Sequence, residues 1–415
     1  MPARLTLKNG LEAVCEPDPR IPFVAFRLCL QAGARHDGAL PGRAHLCEHL
    51  ACAGRSARGV SHLERMYRAG GTTNGWTSHD YCSFADVLPS EHAAVGVAIC
   101  AERLQRHGGG TIEEDVRREV RTIVQEHQER AFSPYRRELE RLQQLLYPVG
   151  HPYHWPAGGV PEAIERIDVD DAVDFFRKWY HPSRAVFAAV GDLDPDWFFH
   201  EVEGCLSAHS PVPAIAEPQC DAGPSQPATA RHCHSAEDIS YVRTYVAYRL
   251  PGCACSGWSS ASLVARAAAL GRSSPLRREM GRRGVAADVR VYIEPHAEAT
   301  TVAFVASAPS ETSSVRLEAA FLEAIGCITS GEIGADDIER ARKSELIAHF
   351  MVSDKPAVRA ERLATALILQ RGSGVFEDIE SSAHRSTPSL LTEGTEMFRK
   401  AVETVLSVSP LARPS

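Results

Sequence analysis

The stretch of sequence that decides the fold is residues 42–54, GRAHLCEHLACAG, whose composition predicts a helix. His45 and His49 are four residues apart, so both imidazoles leave the same face of this helix and can share one metal ion. Glu48 lies next to them, near enough to hydrogen-bond a water molecule on such a metal without being a ligand. The alternative is an ordinary solvated helix face that carries two histidines.

The order His-x-x-Glu-His is the inverted zinc-peptidase motif, whose glutamate is the general base. A catalytic zinc also needs a third protein ligand and an open position for water. Residues Glu113–Ala131 are predicted to form a helix on which Glu119 and Glu126 lie two turns apart on one face. Glu126 is therefore a candidate ligand and Glu119 a candidate for orienting the site. Either could instead be a salt-bridging surface residue.

Composition places the 415-residue chain among soluble globular proteins, with 44% hydrophobic and 24% charged residues. Apolar stretches such as Val186–Val190 are far shorter than the roughly 20 residues of a membrane span. A net charge of −8 disfavours nucleic-acid and anionic-lipid partners. The charged N-terminus does not resemble a signal peptide, and twelve cysteines without a Cys-x-x-Cys pair favour reduced thiols. We therefore expect a cytoplasmic protein.

A proline-rich segment, residues 207–230, has little periodicity and is predicted to be a linker between residues 1–206 and 231–415. The two halves repeat one order of elements, with strands, helices, two further strands and more helices. Residues Arg136–Leu146 in the first half and Ala357–Gln370 in the second are among the predicted helices. The sequence predicts an α+β protein built from two tandem homologous domains.

Other short motifs follow in a fixed order along the chain. They are Asn9-Gly10, Ala32-Gly33, Gly70-Gly71-Thr72-Thr73-Asn74-Gly75-Trp76-Thr77, His151-Pro152-Tyr153, Trp179-Tyr180 and Gly191-Asp192. With residues 42–54 and the Glu119–Glu126 helix, they resemble the pitrilysin and mitochondrial-processing-peptidase family of inverzincins. The resemblance covers nearly the whole chain. It implies a half-shell subunit of two α/β-roll domains, each a mostly antiparallel sheet packed with helices.

The resemblance also implies roles for individual residues. His45, His49 and Glu126 would bind one Zn²⁺ ion, and Glu48 would be the base. In the family, a strand binds an extended peptide substrate as an added β-strand. That role would fall here on Thr73, Asn74, Gly75 and Trp76, with Asn74 holding a substrate carbonyl.

One departure from the family concerns the second half. Active members commonly carry an Arg and a Tyr seven residues apart, where this chain has Met280 and Ala287. The resemblance therefore implies a heterodimer with a homologous chain that supplies the Arg-Tyr pair. The alternative is a homodimer in which Arg278, Arg282 or Tyr292 fills the role.

The sequence thus predicts a zinc metalloendopeptidase that acts on short or unfolded peptides, with peptide maturation or leader removal as one possible task. A non-catalytic binding or scaffold subunit is the alternative. The complete metal-site motif favours the enzyme, because non-catalytic relatives usually lack it.

Overall fold

The structure is a computed structural model that describes residues 2–55, 59–105, 113–131, 135–207, 230–236, 239–255, 257–285, 288–370 and 387–410. Its strands are β1 (Ala3–Thr6), β2 (Glu12–Pro17), β3 (Phe23–Leu30), β4 (Thr72–Thr77), β5 (Cys82–Pro89), β6 (Ala185–Gly191), β7 (Ala230–Ala236), β8 (Tyr241–Pro251), β9 (Asp288–Pro295), β10 (Ala299–Pro309) and β11 (Val402–Pro410).

Helices account for much of the remaining described chain. They are α1 (Arg43–Cys52), α2 (His62–Arg68), α3 (Ala93–Gln105), α4 (Glu113–Ala131), α5 (Arg136–Leu146), α6 (Pro161–Ile164), α7 (Val169–Trp179), α8 (Pro195–Leu206), α9 (Trp258–Ala269), α10 (Pro275–Arg282), α11 (Ser314–Ser330), α12 (Ala335–Ser353), α13 (Pro356–Gln370) and α14 (Thr387–Arg399). The predicted helices Glu113–Ala131 and Arg136–Leu146 are confirmed as α4 and α5.

The chain divides into two compact units, neither of which is continuous in sequence. The first comprises Met1–Glu129, Trp155–Gln219 and Met351–Ser373, and the second comprises Arg130–His154, Cys220–Phe350 and Gly374–Ser415. Helix α5 therefore belongs to the second unit, although it comes from the first half of the sequence. Helix α13 comes from the second half and belongs to the first unit.

The sheet of the first unit has the strand order β1-β2-β6-β3-β5-β4. Its neighbouring strands are antiparallel except for β2 and β6, which run parallel. Strand β4 contains the residues to which the family resemblance assigns peptide binding. Among the described strands it pairs with β5 alone, so it lies at an edge of the sheet. Its register with β5 runs from Thr72 opposite Val87 to Thr77 opposite Cys82.

The sheet of the second unit has the order β7-β11-β8-β10-β9, again with one parallel pair, β7 and β11. This is the order β2-β6-β3-β5-β4 of the first sheet, with the parallel pair in the corresponding place. The predicted α+β fold with two homologous, mostly antiparallel domains is confirmed.

Each sheet packs against helices on both faces. On one face of the first sheet the rings of Phe26, Phe187 and Phe198 join β3, β6 and α8, with ring centroids 5.3–6.1 Å apart. On its other face Leu363 and Leu367 of α13 pack on the small side chains of the central strands. Helix α5 covers one face of the second sheet in the same way. This packing holds the first sheet, which includes strand β4, in place beside helix α1.

The predicted linker, residues 207–230, lies outside the described residues except at its two ends, so the linear division of the chain there stays a prediction. Among the helices that are described, none is long and apolar enough to cross a membrane.

Candidate active site

Helix α1, which carries the His-x-x-Glu-His motif, begins at a point that the local sequence fixes. Gly42 precedes the helix with φ 114°, and a Cβ there would lie 2.5 Å from Ile164 Cγ1, so only glycine fits. The buried carboxylate of Asp37 accepts the N–H groups of Gly42 (2.6 Å) and Ala44 (2.7 Å). It thereby satisfies donors that the first turn of a helix otherwise leaves without partners.

The helix is buried on almost every side, which contradicts the alternative of a solvated face with two histidines. Its buried residues are Ala44, His45, Leu46, Cys47, Glu48, Leu50 and Ala51. Polar side chains are seldom buried unless they have hydrogen-bond partners or bind a ligand. Two imidazoles and a carboxylate on such a helix therefore indicate a binding site.

His45, Glu48 and His49 form one close group, in which one ligand atom from each lies within 4.8 Å of the others. The two imidazole rings are 4.7 Å apart between centroids and perpendicular to one another, with an interplanar angle of 87°. His45 Nε2 lies 4.0 Å from Glu48 Oε2. The spacing in the sequence thus brings together the three side chains that it predicts.

Hydrogen bonds at the Nδ1 atoms orient both rings. His45 Nδ1 donates to the carbonyl oxygen of Gly158 at 3.2 Å, and His49 Nδ1 donates to Glu119 Oε2 at 3.4 Å. A histidine that donates through Nδ1 presents Nε2 as the coordinating atom, and partners of this kind are usual behind metal-binding histidines. Glu119 therefore lies where the sequence predicts an orienting residue, while the partner of His45 has no signal in the sequence.

Glu126 approaches His49 from the same helix, α4. Its Oε1 lies 3.5 Å from His49 Nε2, whereas Glu119 lies at Nδ1 on the opposite side of the ring. In the described part of the chain, the close group of potential ligands contains His45, Glu48 and His49 and does not include Glu126. Two imidazole nitrogens with carboxylate oxygens are nonetheless a donor set that suits zinc.

The electrostatics of the group favour a basic carboxylate. Burial raises the pKa of Glu48 above its ordinary value, against the lowering effect of the nearby His49. Burial lowers the pKa of His49, but the hydrogen bond to Glu119 and three nearby carboxylates outweigh it and raise that pKa. The pKa of Glu119 is lowered despite burial, because His49 and Arg118 hydrogen-bond to it. A raised pKa makes a carboxylate a stronger base.

Strand β4 contacts this group through Gly75. A Cβ at Gly75 would lie 1.7 Å from Glu48 Oε1, so only a residue without a side chain leaves room for the carboxylate. Thr73, on the same face of the strand, accepts a hydrogen bond from Arg103 at 3.0 Å. Asn74 and Trp76 are exposed on the opposite face, Trp76 by 62%. The four predicted peptide-binding residues therefore divide between the two faces of an edge strand.

Two residues beside the site were missed by the sequence reasoning. Arg103 of α3 is fully buried and pairs with Asp86 at 2.5 Å, which fixes β5 and, through Thr73, β4. The adjacent charges of Glu102 and Arg103 near the end of the otherwise apolar helix AAVGVAICAERLQ were an available signal. Cys52 donates its thiol hydrogen to Glu48 Oε1 at 3.2 Å, and its position four residues after Glu48 placed it on the same helix face.

Positions 280 and 287, where active members of the family carry the Arg-Tyr pair, belong to the second unit. Met280 is completely buried in the core, and Ala287 lies outside the described residues. Arg278 pairs with Asp337 at 3.1 Å, and the side chain of Arg282 is largely exposed beside Glu279. Tyr292 is 41% exposed on the edge strand β9.

Comparison with family models shows where the chain belongs. Residues 12–152 match the model described as insulinase, peptidase family M16, and residues 166–345 match the model of the peptidase M16 inactive domain. The chain belongs to peptidase family M16. The resemblance drawn from the sequence motifs to this family of peptidases is confirmed.

Relatives of the chain support the same family. An uncharacterized zinc protease of Bacillus subtilis, YmxG, is 26% identical over 223 residues, which are 52% of this chain and 53% of that protein. A "Probable mitochondrial-processing peptidase subunit beta" of Schizosaccharomyces pombe is 27% identical over 195 residues, 45% of this chain and 41% of that protein. The chain thus spans about half the length of the curated relatives it matches.

The crystal structure of an M16-like peptidase from Alicyclobacillus acidocaldarius shares the fold. It superposes with a TM-score of 0.86 at 20% sequence identity and covers 99% of this chain and 98% of that one.

Proposed function

We propose that this chain is the catalytic subunit of a zinc metalloendopeptidase that hydrolyses short or unfolded peptides. The observation that carries the proposal is the close group of buried His45, buried Glu48 and partly buried His49, in which hydrogen bonds at the two Nδ1 atoms hold the rings. Relatives named zinc proteases support zinc as the metal. The twelve cysteines without a Cys-x-x-Cys pair favour reduced thiols, and on that basis we propose a cytoplasmic location.

In this proposal His45, His49 and Glu126 hold the metal, and Glu119 positions His49 by accepting its Nδ1–H. When bound, zinc supplies a Lewis acid that acidifies a water molecule and polarises the scissile carbonyl. The support for Glu126 as a ligand is that its carboxylate lies 3.5 Å from His49 Nε2, the nitrogen that the Glu119 contact leaves for a metal. Three protein ligands would leave room at the metal for a water molecule.

Glu48 is the base in this mechanism. It takes a proton from the attacking water and delivers it to the leaving amine, so one carboxylate serves as base and then as acid. Two features suit it to both steps. It is buried beside the ligands, and that burial raises its pKa above the ordinary value, which makes the carboxylate a stronger base.

Strand β4 is the proposed peptide-binding edge. Its outer edge carries main-chain donors and acceptors that can add an extended peptide as a further strand, with little demand on the peptide's sequence. Gly75 brings this edge into contact with Glu48. Asn74 and Trp76, which are exposed on the other face, are proposed to contact the peptide's carbonyl groups and side chains. Peptide maturation or leader removal is a fitting task for such a site.

The second proposed feature is a partner chain. Met280, at the position where active members carry the arginine, is buried in the core. A charged side chain at this position would disturb that core. We propose a heterodimer with a homologous chain that carries the Arg-Tyr pair, and a relative named as a processing-peptidase subunit beta supports an assembly of subunits. An arginine and a tyrosine from the partner would grip the peptide carbonyl and stabilise the oxyanion.

The function is tested with Glu48→Gln. This variant should lose hydrolysis of a quenched peptide library yet keep the zinc content of the wild type, because a base is removed and no ligand. Zinc is measured by elemental analysis on the same samples. Wild-type protein that binds zinc and never hydrolyses a peptide, even with its partner, would favour the non-catalytic scaffold instead.

The proposed heterodimer is tested by mixing the isolated chain with a homologous chain and measuring peptide hydrolysis. The isolated chain should bind zinc but turn over slowly, and the rate should rise by about 10²-fold on adding a homologous chain with the Arg-Tyr pair, since one oxyanion donor contributes about that factor. Full turnover by the isolated chain would indicate a homodimer that uses Arg278, Arg282 or Tyr292.

A further inference from the structure

The Glu48 carboxylate has two different environments, one at each oxygen. Oε2 faces the metal-site group and lies 4.0 Å from His45 Nε2. Oε1 accepts the thiol hydrogen of Cys52 at 3.2 Å. The contact with Cys52 therefore holds Oε1, while Oε2 is directed towards the metal-site group.

Cys52 is placed for this contact by the helix itself. It is the last residue of α1 and lies four residues after Glu48, so the two side chains lie one above the other on one face. The space on the other side of both side chains is closed by Gly75. A Cβ there would meet Glu48 Cδ at 2.6 Å and Cys52 Sγ at 2.7 Å. Strand β4 thus confines the pair against the helix.

A thiol suits this position for a chemical reason. It is a weak, uncharged donor, so it can hold one oxygen of a carboxylate without forming an ion pair with it. A charged donor such as a guanidinium would form an ion pair with Glu48 and compete with the reacting groups for the carboxylate.

We propose that Cys52 is a positioning residue, whose thiol holds Oε1 so that Oε2 of Glu48 points at the reacting groups. This inference rests on the proposed function, because it concerns the base of that reaction. The competing account is that Cys52 only fills space between α1 and β4. The two accounts differ in what a serine should do, since serine keeps a donor but is smaller.

The test compares Cys52→Ala with Cys52→Ser in zinc-loaded protein. We expect kcat for a quenched peptide to fall about tenfold in Cys52→Ala with KM and zinc content unchanged, because a base that is no longer held in place is less often aligned with the reacting groups. Cys52→Ser should stay within about threefold of the wild type. Cys47→Ala is the matched control, because that buried thiol on the same helix contacts the Ala172 carbonyl instead of Glu48.

A second readout does not depend on activity. Crystal structures of the wild type and the two variants should show the Glu48 carboxylate rotated in Cys52→Ala and unchanged in Cys52→Ser. Equal losses of kcat in both variants, or an unrotated Glu48 in Cys52→Ala, would overturn the positioning role. A wild type that hydrolyses no peptide would refute the proposed function, and the crystallographic comparison would still decide whether Cys52 positions Glu48.

Discussion

The backbone of Gly75 on strand β4 is in direct contact with the carboxylate of Glu48 on helix α1, so that a Cβ at residue 75 would lie 1.7 Å from Glu48 Oε1. The proposed base and the proposed peptide-binding edge are therefore one packed unit. A peptide added along β4 would lie at a distance from Glu48 that this contact fixes. Any side chain at residue 75 must displace the carboxylate or the strand.

The first prediction concerns this contact. Gly75→Ala should lower the rate of peptide hydrolysis by about 10²-fold, because a displacement near 1 Å of a reacting group has an effect of that size. Zinc content should stay at the wild-type level, since Glu48 is not a proposed ligand. Hydrolysis and elemental analysis on the same preparation measure both quantities.

Gly204→Ala provides the matched control for that variant. Gly204 lies on helix α8 of the same unit, and a Cβ there would have no atom within 4 Å. The control should leave the rate unchanged and leave stability unchanged or slightly higher, since alanine favours helices over glycine. Wild-type turnover by Gly75→Ala would mean that the position of Glu48 is not critical.

The second prediction separates the two glutamates of α4. Glu126→Gln should lower zinc affinity the most, because a ligand is lost. Glu119→Gln should lower it by about 10- to 100-fold, the usual effect of removing a residue that orients a ligand. Competition titration with a chromophoric chelator measures both. Glu129→Gln, an exposed position on the same helix, should bind zinc as the wild type does. Unchanged affinity in Glu126→Gln would show that the third ligand lies elsewhere.

The third prediction concerns the start of the metal-site helix. Asp37→Ala removes the acceptor for the N–H groups of Gly42 and Ala44, both of which are buried, and should lower the free energy of unfolding by about 2 kcal/mol. Asp194→Ala removes an exposed cap of α8 and should cost only about 1 kcal/mol. Denaturant titration of the zinc-free proteins compares them, and equal losses would contradict the role given to Asp37.

The fourth prediction is a pH dependence of stability. Hydrogen bonds from Arg20 and then Arg359 hold the pKa of the Asp18 carboxyl well below its ordinary value, although burial opposes them. Asp18 accepts from Arg20 at 2.7 and 2.8 Å, and Arg359 brings helix α13 to the same carboxylate. A depressed pKa in the folded state stabilises the protein above the unfolded pKa near 4, and this contribution is lost as the pH falls towards the folded value.

Asp18→Asn should therefore unfold at a lower temperature than the wild type at pH 7. The gap between the two melting temperatures should narrow below about pH 5 and continue to narrow towards pH 3. Asp174→Asn, which alters an exposed ion pair with Arg177, should show almost no difference at either pH. A gap for Asp18→Asn that stays constant over this range would refute the assignment.

The sequence predicted the repeated fold well because the two halves use the same alternation of strands and helices. It did not predict which unit α5 and α13 join. Amphipathic periodicity predicts that a helix has an apolar face, but it does not predict which sheet that face packs against. Both helices pack on the sheet of the unit formed mainly by the other half of the sequence, and only the folded chain shows this.

At the candidate site, the sequence by itself determined the relation between His45, Glu48 and His49. All three residues lie on one helix, and the 3.6 residues per turn of an α-helix determine which of its side chains share a face. Only the tertiary structure decided that Glu119 meets Nδ1 and Glu126 approaches Nε2 of His49, that Gly75 packs on Glu48, and that the Gly158 carbonyl orients His45. These contacts join segments up to 113 residues apart, and the packing of separate elements sets their distances, which no local periodicity specifies.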